Sequence, residues 1–273
     1  MVATNIREEA RNSLKGKWLK AIIMLFLEVI IVGIASAISE AIKDNSIIKP
    51  IFAIIEIIIQ IPLTYGLIHS FIKLKRNEEV NYFDFIKIGF ANFSRSWKIC
   101  FRTILKMIVP ILCIIGAIVL FSVMLISGGV TGITFNVGQQ ALGLIIFAII
   151  IYVAAIAYAV IIGLKYALTI YIAYDNQDMS AKELVEKSED LMIGHRGDLF
   201  VLVLSFLGWA ILCYVPLGLA IANVGLFRFS LAIIFGICAV VAMLALGAYV
   251  AMARVCFYDD ILKLNSEKST EVQ

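Results

Sequence analysis

The stretch ALGLIIFAIIIYVAAIAYAVIIGL, Ala141 to Leu164, contains no charged residue and no proline. A helix needs about 20 mostly apolar residues to cross the hydrocarbon core of a bilayer, and this stretch exceeds that length. Outward from it, five more runs approach or exceed the same length: Ala21 to Ser39, Pro50 to Ile72, Ile104 to Ile126, Leu199 to Ala222 and Phe229 to Ala253. Hydrophobic residues make up 62% of the chain and charged residues 16%, with a mean hydropathy of +0.99, against roughly 25% charged in soluble domains. The segments between the runs are too short to bury a core of their own. The predicted fold is all-α: one integral-membrane domain over residues 1–273, with six transmembrane helices.

Lys and Arg are distributed unevenly over the two sides of such a bundle. Of the 23, only Lys43, Lys49 and Arg228 fall on one side. The positive-inside rule therefore puts both termini in the cytoplasm of a cell-membrane protein, with the basic side against anionic lipid head groups. Nucleic acid is not an expected partner, because no soluble face exists to present the charge. Cys100, Cys113, Cys213, Cys238 and Cys256 are odd in number and scattered through or beside the apolar runs, where they read as small packing residues. No His or Cys cluster suggests a metal, and no cofactor motif is present.

A polar segment of amphipathic pattern precedes each pair of spans, at about residues 1–20, 80–98 and 181–193. Ile6, Ala10, Leu14 and Trp18 form one stripe; Tyr82, Ile86, Phe90, Phe93 and Trp97 a second; Ala181, Leu184, Val185, Ser188, Leu191 and Met192 a third. Helices of this kind are expected to lie on the membrane surface with the apolar face down. The chain thus has the outline of three units, each a surface helix followed by a helical hairpin. The first and third share local wording, and the second matches poorly. Ser180 followed by Glu183 predicts a capping box, and Gly194 a helix stop. Ser127 to Gln139, rich in glycine and uncharged, reads as an outer loop. Tyr166, Tyr171 and Tyr174 after the fourth span read as an interfacial aromatic belt. Ala155, Ala159 and Gly163, with Gly247 and Ala251, are close-packing faces that serve the fold or a dimer.

The segment Ala173-Tyr174-Asp175-Asn176, with Ser180-Ala181, Ser188, Leu191-Met192-Ile193-Gly194-His195-Arg196, Asp198-Leu199-Phe200 and Leu204 to Trp209, resembles an uncharacterised bacterial integral-membrane family, domain of unknown function 975. The opening Leu14 to Trp18 and the closing Val255-Cys256-Phe257-Tyr258-Asp259-Asp260 are similar to the ends of that family. Gln177 stands where the family commonly has proline, and Gly197 where it has a bulky aromatic. The resemblance implies a multi-spanning membrane protein in which Asp175, Asn176, Ser180, Gly194, His195, Asp198 and Trp209 form a cytoplasmic motif. It implies no biochemical activity.

Within the spans, Glu28 and Glu56 are the groups most costly to place in lipid. Glu28 is either a proton or cation site or a hydrogen-bonded strut between helices. Glu56, with Gln60 one turn on, Pro62 and Tyr65, forms a candidate polar track; if Glu28 and Glu56 met they would share a proton. The alternative is that Gln60 satisfies Glu56. No H-E-x-x-H, G-x-S-x-G or phosphate-binding Gly-rich Lys loop is present. The expected function is therefore non-catalytic: binding of a membrane lipid, peptide or protein partner in envelope protection. A small transporter or channel using Glu28 and Glu56, and an unrecognised membrane enzyme, are the alternatives.

Overall fold

The computed structural model describes residues 3–41, 48–127, 139–225 and 228–271. Among them are eleven helices and no strand: α1 (Ala3–Leu14), α2 (Trp18–Ala41), α3 (Ile48–Lys75), α4 (Asp84–Ala91), α5 (Phe93–Ser127), α6 (Gln139–Lys165), α7 (Thr169–Asp175), α8 (Ala181–Leu191), α9 (Arg196–Leu204), α10 (Leu207–Gly225) and α11 (Phe229–Glu271). Six segments have the length and apolarity to cross a membrane: Trp18–Ala41, Ile48–Lys75, Phe93–Val123, Ile146–Asp175, Arg196–Gly225 and Phe229–Glu267. Ile150, Leu112, Ile211 and Ile237 stand exposed along them, a surface that only lipid covers. The protein is a multi-pass helical membrane protein. The expected glycine-rich loop at 127–139 and Lys43 lie almost wholly outside the described residues.

α2 pairs with α3, α5 with α6 and α10 with α11, and α3 also touches α4, α5, α7 and α11. The buried core is concentrated at the end of the bundle that carries α1, α4, α7 and α8, the basic end. There Leu63, Phe71 and Ile72 of α3, Ile172 of α7, and Met252, Phe257 and Tyr258 of α11 are nearly or fully buried.

The stripes of α1 and α8 are real but face protein instead of lipid. Ile6, Ala10 and Leu14 are buried where α1 lies on α11 and α9. Leu184, Val185, Ser188 and Leu191 are buried where α8 lies on α5 and α7. An amphipathic period marks an apolar face without saying what covers it. In the expected 80–98 helix, a break at Asn92 separates α4 from α5, so Phe93 and Trp97 start the third span. The inward face of α4 is Phe85 and Gly89, while Tyr82, Phe90 and Phe93 are exposed.

Two spans are interrupted near the basic end, and the surface helices satisfy the breaks. The fourth span breaks between α6 and α7, where Ser188 Oγ of α8 donates to the Lys165 carbonyl (3.0 Å) and Lys165 Nζ reaches Glu189 (3.1 Å). The lysine holds the Glu189 carboxyl below its ordinary range. The fifth span breaks at Ser205 and Phe206, and Arg7 Nη1 of α1 donates to the Ser205 carbonyl at 3.5 Å. Because α7 turns inward after its break, Tyr166 and Tyr171 are buried and form no belt. The small residues pack internally: a Cβ on Gly163 would meet Met107 of α5 at 3.7 Å, and one on Gly247 would meet Leu25 of α2 at 3.5 Å.

α4 lies on α3 backbone to backbone. A Cβ on Gly66 would stand 1.9 Å from the Phe85 carbonyl oxygen, and one on Gly89 would stand 2.2 Å from that of Pro62. No side chain could yield to relieve either clash. Gly66→Ala is expected to cost at least about 1–3 kcal/mol through overpacking and to lower the unfolding temperature of the purified protein by several degrees. Gly116→Ala, whose Cβ meets nothing within 4 Å, is expected to leave it unchanged; equal behaviour of the two variants would contradict the close crossing.

Candidate functional site

The intramembrane acids sit between α2 and α3 and do not meet. Glu28 accepts from Thr64 Oγ1 at 3.3 Å, whereas Glu56 accepts from Ser36 Oγ. The two pairings lie eight residues apart on either helix, about 12 Å along the axis. Each carboxyl thus has its own hydroxyl donor, and Gln60 is exposed. Tyr65 is buried and turned toward the basic end, its ring 4.0 Å from that of His69, and it lines one cavity with Arg95.

At the basic end the motif residues divide. Asp175 is the centre of a network: Arg76 Nη1 and Nη2 donate to its two oxygens at 2.5 and 2.9 Å, and Tyr258 Oη donates to Oδ2 at 2.8 Å. The same guanidinium reaches Asp259 at 3.3 Å and lies 5.2 Å from the Tyr174 ring. Arg76 follows the last turn of α3, Asp175 ends α7 and Asp259 lies in α11. One fork-shaped cation therefore joins the basic ends of all three hairpins. The Asp175 hydrogen bond, foremost, raises the Arg76 pKa above its ordinary value. Asn176 Oδ1 accepts from Lys187 Nζ of α8 at 2.9 Å, and Ser180 with Glu183 forms the capping box at the start of α8.

Gly194, His195, Asp198 and Trp209 stand apart from this network. Gly194 has φ +81°, a conformation that favours glycine, and turns the chain from α8 into α9. His195 Nδ1 and Asp198 Oδ2 lie 3.3 Å apart across the first turn of α9, and Trp209 faces lipid, 57% exposed. Sequence reading missed Arg76, His69 and Arg95 as site residues. Arg76 sits in a run of cations that read as an orientation signal, with nothing to mark it from Lys73 or Lys75.

Two clefts open on the flanks of α3. One, of about 410 Å³, is lined by Thr64, Ile68, Tyr171, Met243, Leu246 and Val250, with Arg254 at its basic end. The other, of about 320 Å³, lies between α3, α5 and the α6–α7 break and is lined by Gln60, Thr64, Tyr65, Ile99, Thr103 and Ile170. Both are apolar with a few hydroxyls, the character of sites for membrane-soluble groups.

Arg76→Gln leaves Asp175 and Asp259 facing each other without their shared cation, an arrangement that costs more than losing a surface pair. It is expected to lower the unfolding temperature and expose the α7–α8 segment to limited proteolysis. Lys182→Gln, which removes only an exposed i,i+4 pair with Glu186 worth about 0.3–0.5 kcal/mol, should do neither. Arg76→Gln with unchanged stability and proteolysis would show that the clamp is dispensable.

No curated protein and no solved structure matches this chain. Residues 1–265 match the family described as Protein of unknown function (DUF975), and on that extent the chain belongs to this family.

Proposed function

We propose that the protein is a non-catalytic, multi-spanning component of the cell membrane, both termini in the cytoplasm, which holds an anionic phospholipid in the cleft that ends at Arg254 and contributes to envelope protection. The observation that carries this reading is the cleft itself. Its apolar length along Met243, Leu246 and Val250 suits an acyl chain, and its basic end offers Arg254 beside the Tyr171 hydroxyl, which suits an anionic head group. Lipid surrounds the cleft in any case. The orientation rests on the basic excess at the end where Arg254 lies.

Purified protein exchanged into mixed phosphatidylglycerol and phosphatidylcholine, then stripped with mild detergent, is expected to retain phosphatidylglycerol selectively by native mass spectrometry. Arg254→Gln should reduce that retention at least fivefold without altering unfolding. Equal retention of the two lipids, or no effect of the substitution, would remove the support for this reading.

A transporter reading draws on the same helix pair, since Glu28 and Glu56 line the α2–α3 interface. Their separate hydroxyl partners favour struts between helices. In proteoliposomes with an internal pH dye, the wild type and the Glu28→Gln/Glu56→Gln variant should therefore show the same proton leak. A leak present only in the wild type would replace lipid binding with transport.

A further inference from the structure

A third cavity, of about 280 Å³, lies under α4 at the basic end, lined by Tyr65, His69 and Lys73 of α3, Asn92, Arg95 of α5 and Tyr174 of α7. Its chemistry differs from that of the flank clefts. The His69 ring is only 6% exposed, held between the Tyr65 ring at 4.0 Å and the edge of Tyr174 at 5.2 Å. Its Nε2 is buried with no partner among the described residues. A buried polar atom left so costs roughly 1–3 kcal/mol and calls for an explanation.

Arg95 supplies a second such atom. Its Nη1 and Nη2 donate to the Gln177 and Asn176 carbonyls at 2.5 and 2.7 Å, which fixes the guanidinium in the wall, while Nε is buried without a partner. Lys73 follows His69 by one turn and pairs with no carboxylate among the described residues. Asp175 is matched by Arg76 and Tyr258, and Glu78 accepts from the hydroxyl of Tyr174. The cavity therefore combines two cations that pair with no carboxylate among the described residues, an imidazole nitrogen without a partner and the side chain of Asn92.

We propose that this cavity binds a phosphate group, as a free phosphomonoester or inorganic phosphate or as the head group of a phosphomonoester lipid. Phosphate oxygens accept from Lys73 and Arg95, and His69 Nε2 shares one proton with a further oxygen, carried by the phosphate monoanion or by the ring. A carboxylate offers fewer oxygens for three converging groups, and an uncharged ligand leaves both cations unmatched. The site is separate from the Arg254 cleft, so the two readings stand or fall apart.

The test is binding of inorganic phosphate to the full chain in detergent, by calorimetry at constant ionic strength against chloride. A second arm uses nanodiscs containing phosphatidic acid or, as the control, phosphatidylglycerol. Saturable binding of phosphate, or preference for phosphatidic acid over phosphatidylglycerol, is expected; the first marks a soluble ligand and the second a lipid head group. Lys73→Gln, which removes no internal ion pair, and His69→Gln should each weaken that binding at least tenfold. Lys87→Gln on the exposed face of α4 and Arg254→Gln should leave it unchanged. Absence of binding in both arms, or wild-type affinity in Lys73→Gln and His69→Gln, overturns the proposal.

Discussion

The arrangement of the whole bundle hangs on the guanidinium of Arg76. Lipid offers helices little reason to associate through apolar burial, because its tails are as apolar as Leu. Polar closure at one end therefore has to do what a hydrophobic core does in water. Arg76 with Asp175 and Asp259 supplies it, tying three hairpins at one point where side chains are half-buried. Around that point the core residues Phe71, Ile172, Phe257 and Tyr258 are buried, while the opposite ends of the spans present Ile and Val to lipid.

The surface helices follow one docking rule. α4 follows the first hairpin and lies on α3; α8 follows the second and lies on α5 and α7; α1, which precedes all three, lies on α11 of the third. Each therefore packs on the hairpin before it, and α1 closes the ring. Two of them also satisfy backbone that the spans leave open, Ser188 at the Lys165 carbonyl and Arg7 at the Ser205 carbonyl. Irregular backbone at membrane depth survives where protein covers it, and here the amphipathic helices are that cover.

Much of the architecture was legible because lipid imposes a length rule: Ala141 to Leu164 has few other uses. Local grammar was equally readable at Ser180 and Glu183, whose capping box needs only neighbours in sequence. What depends on a distant partner was not. The stripe of Ile6, Ala10 and Leu14 shows an apolar face, but lipid and α11 satisfy it equally in a periodicity. Glu28 and Glu56 invited pairing because both are acids in adjacent spans, and their register, set by Thr64 and Ser36, is a tertiary fact. Gly66 and Gly89 are two glycines among 18, and nothing nearby marks them as the crossing. His69 and Lys73 are one turn apart on α3, but Arg95 and Tyr174, which complete the cavity, come from α5 and α7 and leave no local signal.

The closed ring has a consequence for biosynthesis. α1 leaves the ribosome first, but its permanent neighbour is made last: the Arg7 carbonyl accepts from Tyr249, 242 residues downstream. Until α11 inserts, Ile6, Ala10 and Leu14 lack the larger part of their cover and the Arg7 carbonyl lacks its donor. The N-terminal helix is thus the last piece to settle, and a nascent chain that stalls before the sixth span displays an uncovered apolar face to whatever quality control patrols the membrane surface.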